Sequence, residues 1–401
     1  MEKYGFEPEL SLVVNAKANA QDEITIKKVG ATVRDMRHLL WSSIDNFDTE
    51  DLDRIEYCER GQGGEILVKV AIADVDAFVP KGSSLDMHAQ TNATSVYAGT
   101  ETFPMLPEKL SGNLTSFPMD LDRLAIVVEF AVLPRGNVRF GKIYRAIVRN
   151  TAQLACEEIS AWLEDKGAQP EMMDETPGLE EQIKLQDEAS LKLGKYRQGQ
   201  CAFELEMREA GSALKDGKLL GLCVIETDRA KGIVENFMMG ANGAMSGFLE
   251  SANGFAIRRV VGIPKSWIEI VDVAHAKGFE LPSDPDATML VEFLAKERKA
   301  DPEGFFKLSM AIAKFLGQGE YALVGKTNPA ECFCLAVACH APGTAPNQRY
   351  MDLIFQRLLK AALAHTATPY NKNELAALAE LCTEREHAAK KVETAIKYGK
   401  V

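Results

Sequence analysis

The chain has 401 residues, with 46 Lys or Arg and 58 Asp or Glu, and its formal charge is −12 at pH 7. Hydrophobic residues make up 46% and charged residues 26%, which excludes a disordered, collagen-like or coiled-coil protein. No apolar run approaches the roughly 18 residues of a membrane span, and we expect no signal peptide and no membrane partner. Eight cysteines without a regular framework favour reduced thiols, so we expect a cytoplasmic protein. The acidic balance argues against a general nucleic-acid coat protein but leaves a nucleic-acid enzyme possible.

The predicted elements run from strands in the first part of the chain to helices in the last part. Apolar residues predict a strand over 64–79, and β-branched residues on both sides of residues 134–137 predict a hairpin over 124–148. Helical spacing of apolar residues predicts helices over 151–165, 229–252, 285–300, 302–317, 349–366 and 372–398. The pattern indicates one α+β domain over 31–401, with a polar lead-in at 1–30 and an exposed loop insertion near 166–180.

Acidic residues crowd into the segment 45–53, where the chain carries Asp45, Asp48, Glu50, Asp51 and Asp53. Their mutual repulsion is unfavourable unless solvent or a cation relieves it, and Mg²⁺ prefers carboxylate oxygens as ligands. A metal held there polarises a phosphoryl oxygen and lowers the pKa of an attacking water. The alternative is a solvated acidic turn at the surface. Because a predicted strand follows directly, we expect the carboxylates at the mouth of a sheet.

Two further segments have residues that suit a nucleic acid. Tyr97 and Phe103 lie in a Pro-rich loop, where an aromatic ring either stacks on an unpaired base or anchors the loop by packing. Arg349 begins a predicted helix, and Arg357 follows two turns later on roughly the same face. The helix start and the two guanidinium groups form either a phosphate site or a solvated cationic face.

In this order, the segments resemble the catalytic domain of the ribonuclease II / ribonuclease R family, known as the RNB domain. RDMRHLLWSSIDNFDTEDLDR is similar to the family's opening, which contains R-x-D-L-R and D-x-D-D-A. The other matching stretches are VKVAIADVDAFVPKGSSLDMHAQTNATSVY, TFPMLPEKLSGNLTSFPMDLDRLAIVVEF, RAKGIVENFMMGANGAMSGFL and AIRRVVGIPKSWIEIV. These motifs are long and specific, and they run in register across residues 31–400.

The resemblance implies a fold and a reaction. The fold is a mixed, largely antiparallel sheet flanked by helices, with a deep channel leading to the acidic site. The reaction is processive hydrolysis of single-stranded RNA from its 3′ end to nucleoside 5′-monophosphates, with Mg²⁺ or Mn²⁺ as cofactor. We expect no flanking OB-type domain, and with a charge of −12 we expect weak and salt-sensitive affinity for RNA.

The resemblance also assigns residues to roles. Asp45, Asp51 and Asp53 match three of the four aspartates that serve the family's metal site, and they are the expected catalytic residues. The positions that match RNA-contacting residues are Tyr97, Glu235, Arg349, Arg357 and Glu393.

Three of the positions that depart from the family pattern belong to the expected site. Arg54 replaces the fourth aspartate, Gln348 replaces an arginine that acts on the scissile phosphate, and Cys156 replaces a tyrosine that contacts a nucleotide. Loss of a charged clamp commonly reduces a rate by about 10²-fold or more. Two functions therefore remain open, a slow metal-dependent exoribonuclease and an inactive relative that binds RNA or a protein partner. In a third arrangement Arg54 faces outward, and Glu50 or Glu56 completes the site.

Overall fold

A computed structural model describes most of the chain. The described residues are 1–22, 33–47, 49, 51–98, 101–200, 209–215, 218–225, 228–260, 264, 266–301, 304–325 and 342–397. Asp48 and Glu50 of the acidic segment lie outside them. Within these ranges, no helix has the length and apolar character needed to span a membrane.

The described chain alternates strands and helices. The strands are β1 (Arg34–Asp35), β2 (Trp41–Asp45), β3 (Arg54–Arg60), β4 (Ile66–Ala73), β5 (Val96–Ala98), β6 (Glu101–Phe103), β7 (Asp122–Val132), β8 (Val138–Ala155), β9 (Glu209–Lys215), β10 (Lys218–Ile225), β11 (Phe255–Val260) and β12 (Glu320–Gly325). The helices are α1 (Leu12–Asn19), α2 (Ser84–Asn92), α3 (Cys156–Leu163), α4 (Glu171–Glu175), α5 (Leu179–Gln200), α6 (Arg229–Asn253), α7 (Trp267–Ala276), α8 (Ala287–Ala300), α9 (Phe305–Leu316), α10 (Tyr350–Leu363) and α11 (Lys372–Lys397).

The largest sheet has the strand order β1-β8-β2-β3-β4-β7, and β7 also pairs with β8, so the sheet closes on itself. β1 and β2 run parallel to β8, whereas β3, β4 and β7 join their neighbours in antiparallel pairs. This mixed, largely antiparallel sheet flanked by helices confirms the expected α+β class.

The predicted hairpin is confirmed, but its second strand is longer than expected. Gly136 has a positive φ of 89° and donates its N–H to the carbonyl of Leu133 at 2.7 Å, which closes the turn between β7 and β8. β8 then continues to Ala155 because its last residues pair with β2. The helix predicted over 151–165 consequently begins only at Cys156.

The helix predicted over 229–252 is confirmed as α6, which packs on the sheet. The Asp228 side chain accepts a hydrogen bond from the N–H of Lys231 and caps its first turn. Gly240 lets the helix approach the sheet closely, because a Cβ there would lie 2.6 Å from the Phe130 ring. Helices α8 and α9 confirm the predicted α-hairpin, and with α7 they enclose a hydrophobic cluster separate from the main core.

The segment 166–180 is not entirely an exposed loop. It contains the short helix α4 and ends where α5 begins at Leu179. Met173 and Leu179 are both buried in the main core, and this packing holds the segment against the domain.

Candidate functional site

Three aspartates of the acidic segment lie where two adjacent strands of the sheet meet. Asp45 is the last residue of β2, and Asp51 and Asp53 come directly before β3. Leu52 fixes the connection between them. Its N–H donates to Ser116 Oγ at 2.9 Å, and its carbonyl accepts from the N–H of Phe117 at 3.0 Å.

The loop before α10 forms a second wall of the site. The Asn347 side-chain amide donates to Asp53 Oδ1 at 2.7 Å, and the Gln348 amide donates to Asp51 Oδ2 at 2.9 Å. Ser95 donates its backbone N–H to the carbonyl of Gln348 at 2.8 Å, which ties the loop to the segment before β5. Asn347 was not singled out from the sequence, and nothing in the local pattern distinguishes it.

Tyr97 joins the same cluster from β5. Its hydroxyl lies 3.5 Å from Asp51 Oδ2, and its backbone N–H donates to Glu393 Oε1 at 3.1 Å. The tyrosine remains 46% exposed, so its ring is accessible from solvent. The structure therefore brings together Tyr97, Glu393 and Asp51, three of the residues that the resemblance singles out.

The three aspartates are poorly compensated as anions. Burial raises the pKa of Asp45 and of Asp51, and it raises the pKa of Asp53 to about 8. Repulsion by the carboxylate of Asp51 adds to the rise in the pKa of Asp45 and of Asp53. Asp53 is almost fully buried, and its Oδ2 atom has no hydrogen-bond partner. The cluster therefore favours a cation or bound protons.

Arg54 faces into this cluster. Its Nη2 atom lies 3.3 Å from Asp45 Oδ1, while its buried Nε has no hydrogen-bond partner. Its positive charge opposes the rise in the pKa of Asp45, Asp51 and Asp53. The guanidinium thus supplies part of the charge that a metal ion would supply. Arg54 does not face outward, so the third arrangement considered from the sequence is not observed.

Glu56 is a further acid at this end of the sheet. It lies two residues after Arg54 on β3, and alternation along a strand places both side chains on one face. Burial raises the pKa of Glu56 to about 8, with Arg54 opposing the shift and Asp45 adding to it. Its Oε1 atom has no hydrogen-bond partner, so the glutamate is buried without adequate compensation.

Glu56→Gln is expected to stabilise the fold increasingly as the pH rises from about 5 to about 8. The folded chain retains a proton on Glu56 that the unfolded chain releases near the ordinary pKa of 4.5, so the parent loses stability through this window. At pH 7 the difference is on the order of 3 kcal/mol. Urea unfolding at pH 5 and pH 8 measures it.

Glu158→Gln, on an exposed position of α3, is the matched control and should show no such pH dependence. An equal effect of Glu56→Gln at both pH values would contradict an ionisation penalty at Glu56.

Two other predicted positions lie on the neighbouring helices. Cys156 is the buried first residue of α3, and its pKa rises to about 12 through burial, with Asp228 and Asp45 contributing. Glu235 lies on α6 with an exposed side chain.

The two arginines of α10 have different surroundings. Arg349 is the N-cap residue of the helix, and its guanidinium lies 2.7 Å from Asp352 Oδ2. Arg357 is only 4% exposed, and it contacts Asp76 at 2.9 Å and Asp86 at 2.7 Å. Contact of either arginine with RNA stays a prediction.

The carboxylates are not already arranged as a metal centre. Within the described parts of the chain, no three Asp, Glu, His or Cys side chains form a group that could hold a metal ion. The hydrogen-bond donors of Arg54, Asn347 and Gln348 are each directed at one of the three aspartates.

Comparison with known proteins identifies the family of this chain. A profile of the RNB domain matches residues 33–365, and the chain therefore belongs to the RNB-domain family. It is 29% identical to exoribonuclease 2 of Klebsiella pneumoniae over 358 residues, which is 87% of this chain and 54% of that protein. The chain thus spans about half the length of this relative.

Two solved structures share the fold. One is Mycoplasma genitalium RNase R in complex with ribose-methylated single-stranded RNA, with a TM-score of 0.83 and 22% identity, covering 98% of this chain and 62% of that one. The other is yeast Ssd1, a pseudonuclease, with a TM-score of 0.73 and 15% identity, covering 93% of this chain and 45% of that one. The fold therefore occurs both in a ribonuclease and in a protein described as a pseudonuclease.

Proposed function

We propose that this protein is a 3′→5′ exoribonuclease that hydrolyses single-stranded RNA to nucleoside 5′-monophosphates. The observation that carries the proposal is the convergence of Asp45, Asp51 and Asp53, all with raised pKa values, beside the accessible ring of Tyr97. Clustered carboxylates suit metal-assisted phosphodiester hydrolysis, and an accessible ring suits an unpaired base. Membership of the RNB-domain family supports the same reaction.

The donor atoms of the three aspartates suit a hard divalent cation, which we take to be Mg²⁺ or Mn²⁺, although within the described residues they are not already arranged as a metal centre. All three aspartates offer carboxylate oxygens, and the buried Oδ2 of Asp53 has no partner. Binding would compete with the pairing of Asp45 to Arg54, so we expect modest affinity for the metal. When bound, the metal would polarise the phosphoryl oxygen and lower the pKa of the attacking water.

The protein's own residues have distinct parts in the proposed reaction. Asp45 and Asp51 would serve as ligands, and Asp53 would orient the attacking water. Asn347 positions Asp53 through its 2.7 Å hydrogen bond, and Tyr97 would stack on a base of the RNA.

A second candidate function is RNA binding without hydrolysis. The observation that favours it is the guanidinium of Arg54 beside Asp45, together with the amide of Gln348 on Asp51. These contacts satisfy two carboxylates without a metal. Gln348 also lacks the charge that an arginine would place on the developing negative charge of the phosphate.

The two functions are separated with single-stranded RNA labelled at its 5′ end, incubated at low salt with Mg²⁺, Mn²⁺ or EDTA. A metal-dependent ladder that shortens from the 3′ end is expected from the parent. Asp53→Asn should lower the rate of this hydrolysis by about 10²-fold or more. Asp53→Asn differs from the parent by one side-chain atom, so a contaminating nuclease would copurify with both proteins and give the same ladder. Intact RNA at high protein concentration would overturn hydrolysis, and a mobility shift in the same gel would then support RNA binding alone.

A further inference from the structure

Phe47 is a nearly fully exposed aromatic residue of the acidic segment, two positions after Asp45. The described chain has three aromatic side chains among its exposed large hydrophobic residues, and their exposed fractions are 87% for Phe47, 46% for Tyr97 and 54% for Phe140. Phe140 lies over Gly243 and Gly247 of α6, which accounts for its position. Phe47 has no such cover, and it forgoes the stabilisation that burial of a ring provides.

The backbone explains why Phe47 projects outward. The carbonyl of Asn46 accepts a hydrogen bond from the N–H of Thr49 at 3.1 Å, which closes a turn with Phe47 at its first central position. The connection is held at both ends, since Asp45 pairs with β8 and Leu52 is buried. The ring is thus presented by a connection that is anchored in the sheet, two residues from a carboxylate of the site.

The charges around the site indicate what this ring binds. Asp45, Asp51 and Asp53 repel phosphate groups, and Arg54 is already paired with an aspartate. An uncharged ring attracts RNA through its bases instead, because stacking requires only the π-face of an unpaired base. Tyr97 offers one such ring at the same cluster, and Phe47 offers a second on the connection that bears the carboxylates.

We propose that Phe47 is a base-stacking residue that helps to hold single-stranded RNA at the acidic site. This inference rests on the RNA binding proposed above. Stacking strength follows the size of the base, so Phe47 favours purines over pyrimidines at the position that it contacts. Its contribution is independent of ionic strength, whereas contacts to phosphate weaken as salt increases.

The test is the affinity of the full chain for single-stranded oligoadenylate labelled with fluorescein at its 5′ end, measured by fluorescence anisotropy in EDTA. The measurement is repeated with Mg²⁺ in the Asp53→Asn background, where hydrolysis does not interfere. Phe47→Ala is expected to weaken binding by roughly 5- to 150-fold, corresponding to ~1–3 kcal/mol for one stacked base. The loss should be smaller with oligouridylate, and the dependence of affinity on salt should keep its slope.

Three variants make the result specific. Phe140→Ala removes another exposed aromatic ring and should bind RNA as the parent does. Phe47→Leu keeps an apolar side chain without a π-face and should resemble Phe47→Ala. Phe47→Trp should keep the affinity of the parent, and the fluorescence of the new tryptophan should be quenched as the RNA binds. Because Phe47 is so exposed, all these variants at position 47 should unfold at the parent's temperature.

Equal affinity of the parent and Phe47→Ala would overturn the stacking role while leaving RNA binding intact. Full rescue by Phe47→Leu, or an equal loss in Phe140→Ala, would also overturn it. If the parent itself binds no RNA under either condition, the proposed function fails and this inference fails with it.

Discussion

Arg54→Asp is expected to tighten binding of Mn²⁺ to the acidic site by about tenfold or more and to increase metal-dependent hydrolysis of RNA. The substitution removes a cation that lies 3.3 Å from Asp45 and adds a fourth carboxylate at the start of β3. A neighbouring charge at such distances shifts an ionisation equilibrium by roughly one to three pKa units, and a divalent cation responds at least as strongly. Titration calorimetry with Mn²⁺ measures the affinity without relying on activity.

Two controls separate charge at the site from charge in general. Arg54→Lys keeps the positive charge and should leave the affinity for Mn²⁺ low. Arg60→Asp changes the same residue type at the other end of β3, where the side chain is exposed and paired with Glu188, and it should leave metal binding unchanged. Weaker metal binding or slower hydrolysis in Arg54→Asp would show instead that the guanidinium contributes to an active site.

Local pattern predicts those parts of the fold whose contacts are themselves local. The apolar strands β4 and β7 and the turn at Gly136 follow from alternation and turn chemistry, and α6 follows from helical spacing. The end of β8 is different, because residues 150–155 become a strand only by pairing with β2, more than 100 residues earlier. Helix α5 was not predicted, since its sequence is mainly polar.

The same distinction holds for the candidate site. Asp45, Asp51 and Asp53 are close in sequence, and their clustering is visible as an acidic run. Asn347 approaches Asp53 across 294 positions, and no periodicity in one sequence predicts such a pair. Resemblance to a family singled out Tyr97 and Glu393, but a resemblance carries over only residues that match its motifs. The resemblance therefore assigns no role to Phe47 or Asn347.

Arg54, which departs from the family pattern, interacts with the buried acid Glu56 on the same strand. A cation at position 54 would be unpaired in a site with fewer acids, and here it lies near both Asp45 and the buried Glu56. When Glu56 is ionised, the opposite charges lower each other's penalty for burial, although neither the Nε of Arg54 nor the Oε1 of Glu56 has a hydrogen-bond partner. The pair is thus a compromise between local charge balance and hydrogen bonding. Glu56→Gln tests the acid of the pair, and Arg54→Asp tests the cation.

Arg357→Met is expected to lower the free energy of unfolding by about 3–5 kcal/mol, because it leaves the buried carboxylate of Asp86 without its cation, whereas Asp76 keeps its ion pair with Lys360. The guanidinium contacts Asp76 and Asp86, and it also donates to the Tyr370 hydroxyl and the Val79 carbonyl, both at 2.6 Å. Urea unfolding measures the change, with Arg60→Met as a control for an exposed ion pair whose loss should leave the stability nearly unchanged. If Arg357→Met instead keeps the parent's stability and weakens RNA binding, the arginine acts on RNA as the family resemblance predicts. If the variant loses stability but its folded form keeps the parent's affinity for RNA, the role of Arg357 is to hold α10 against the segment after β4.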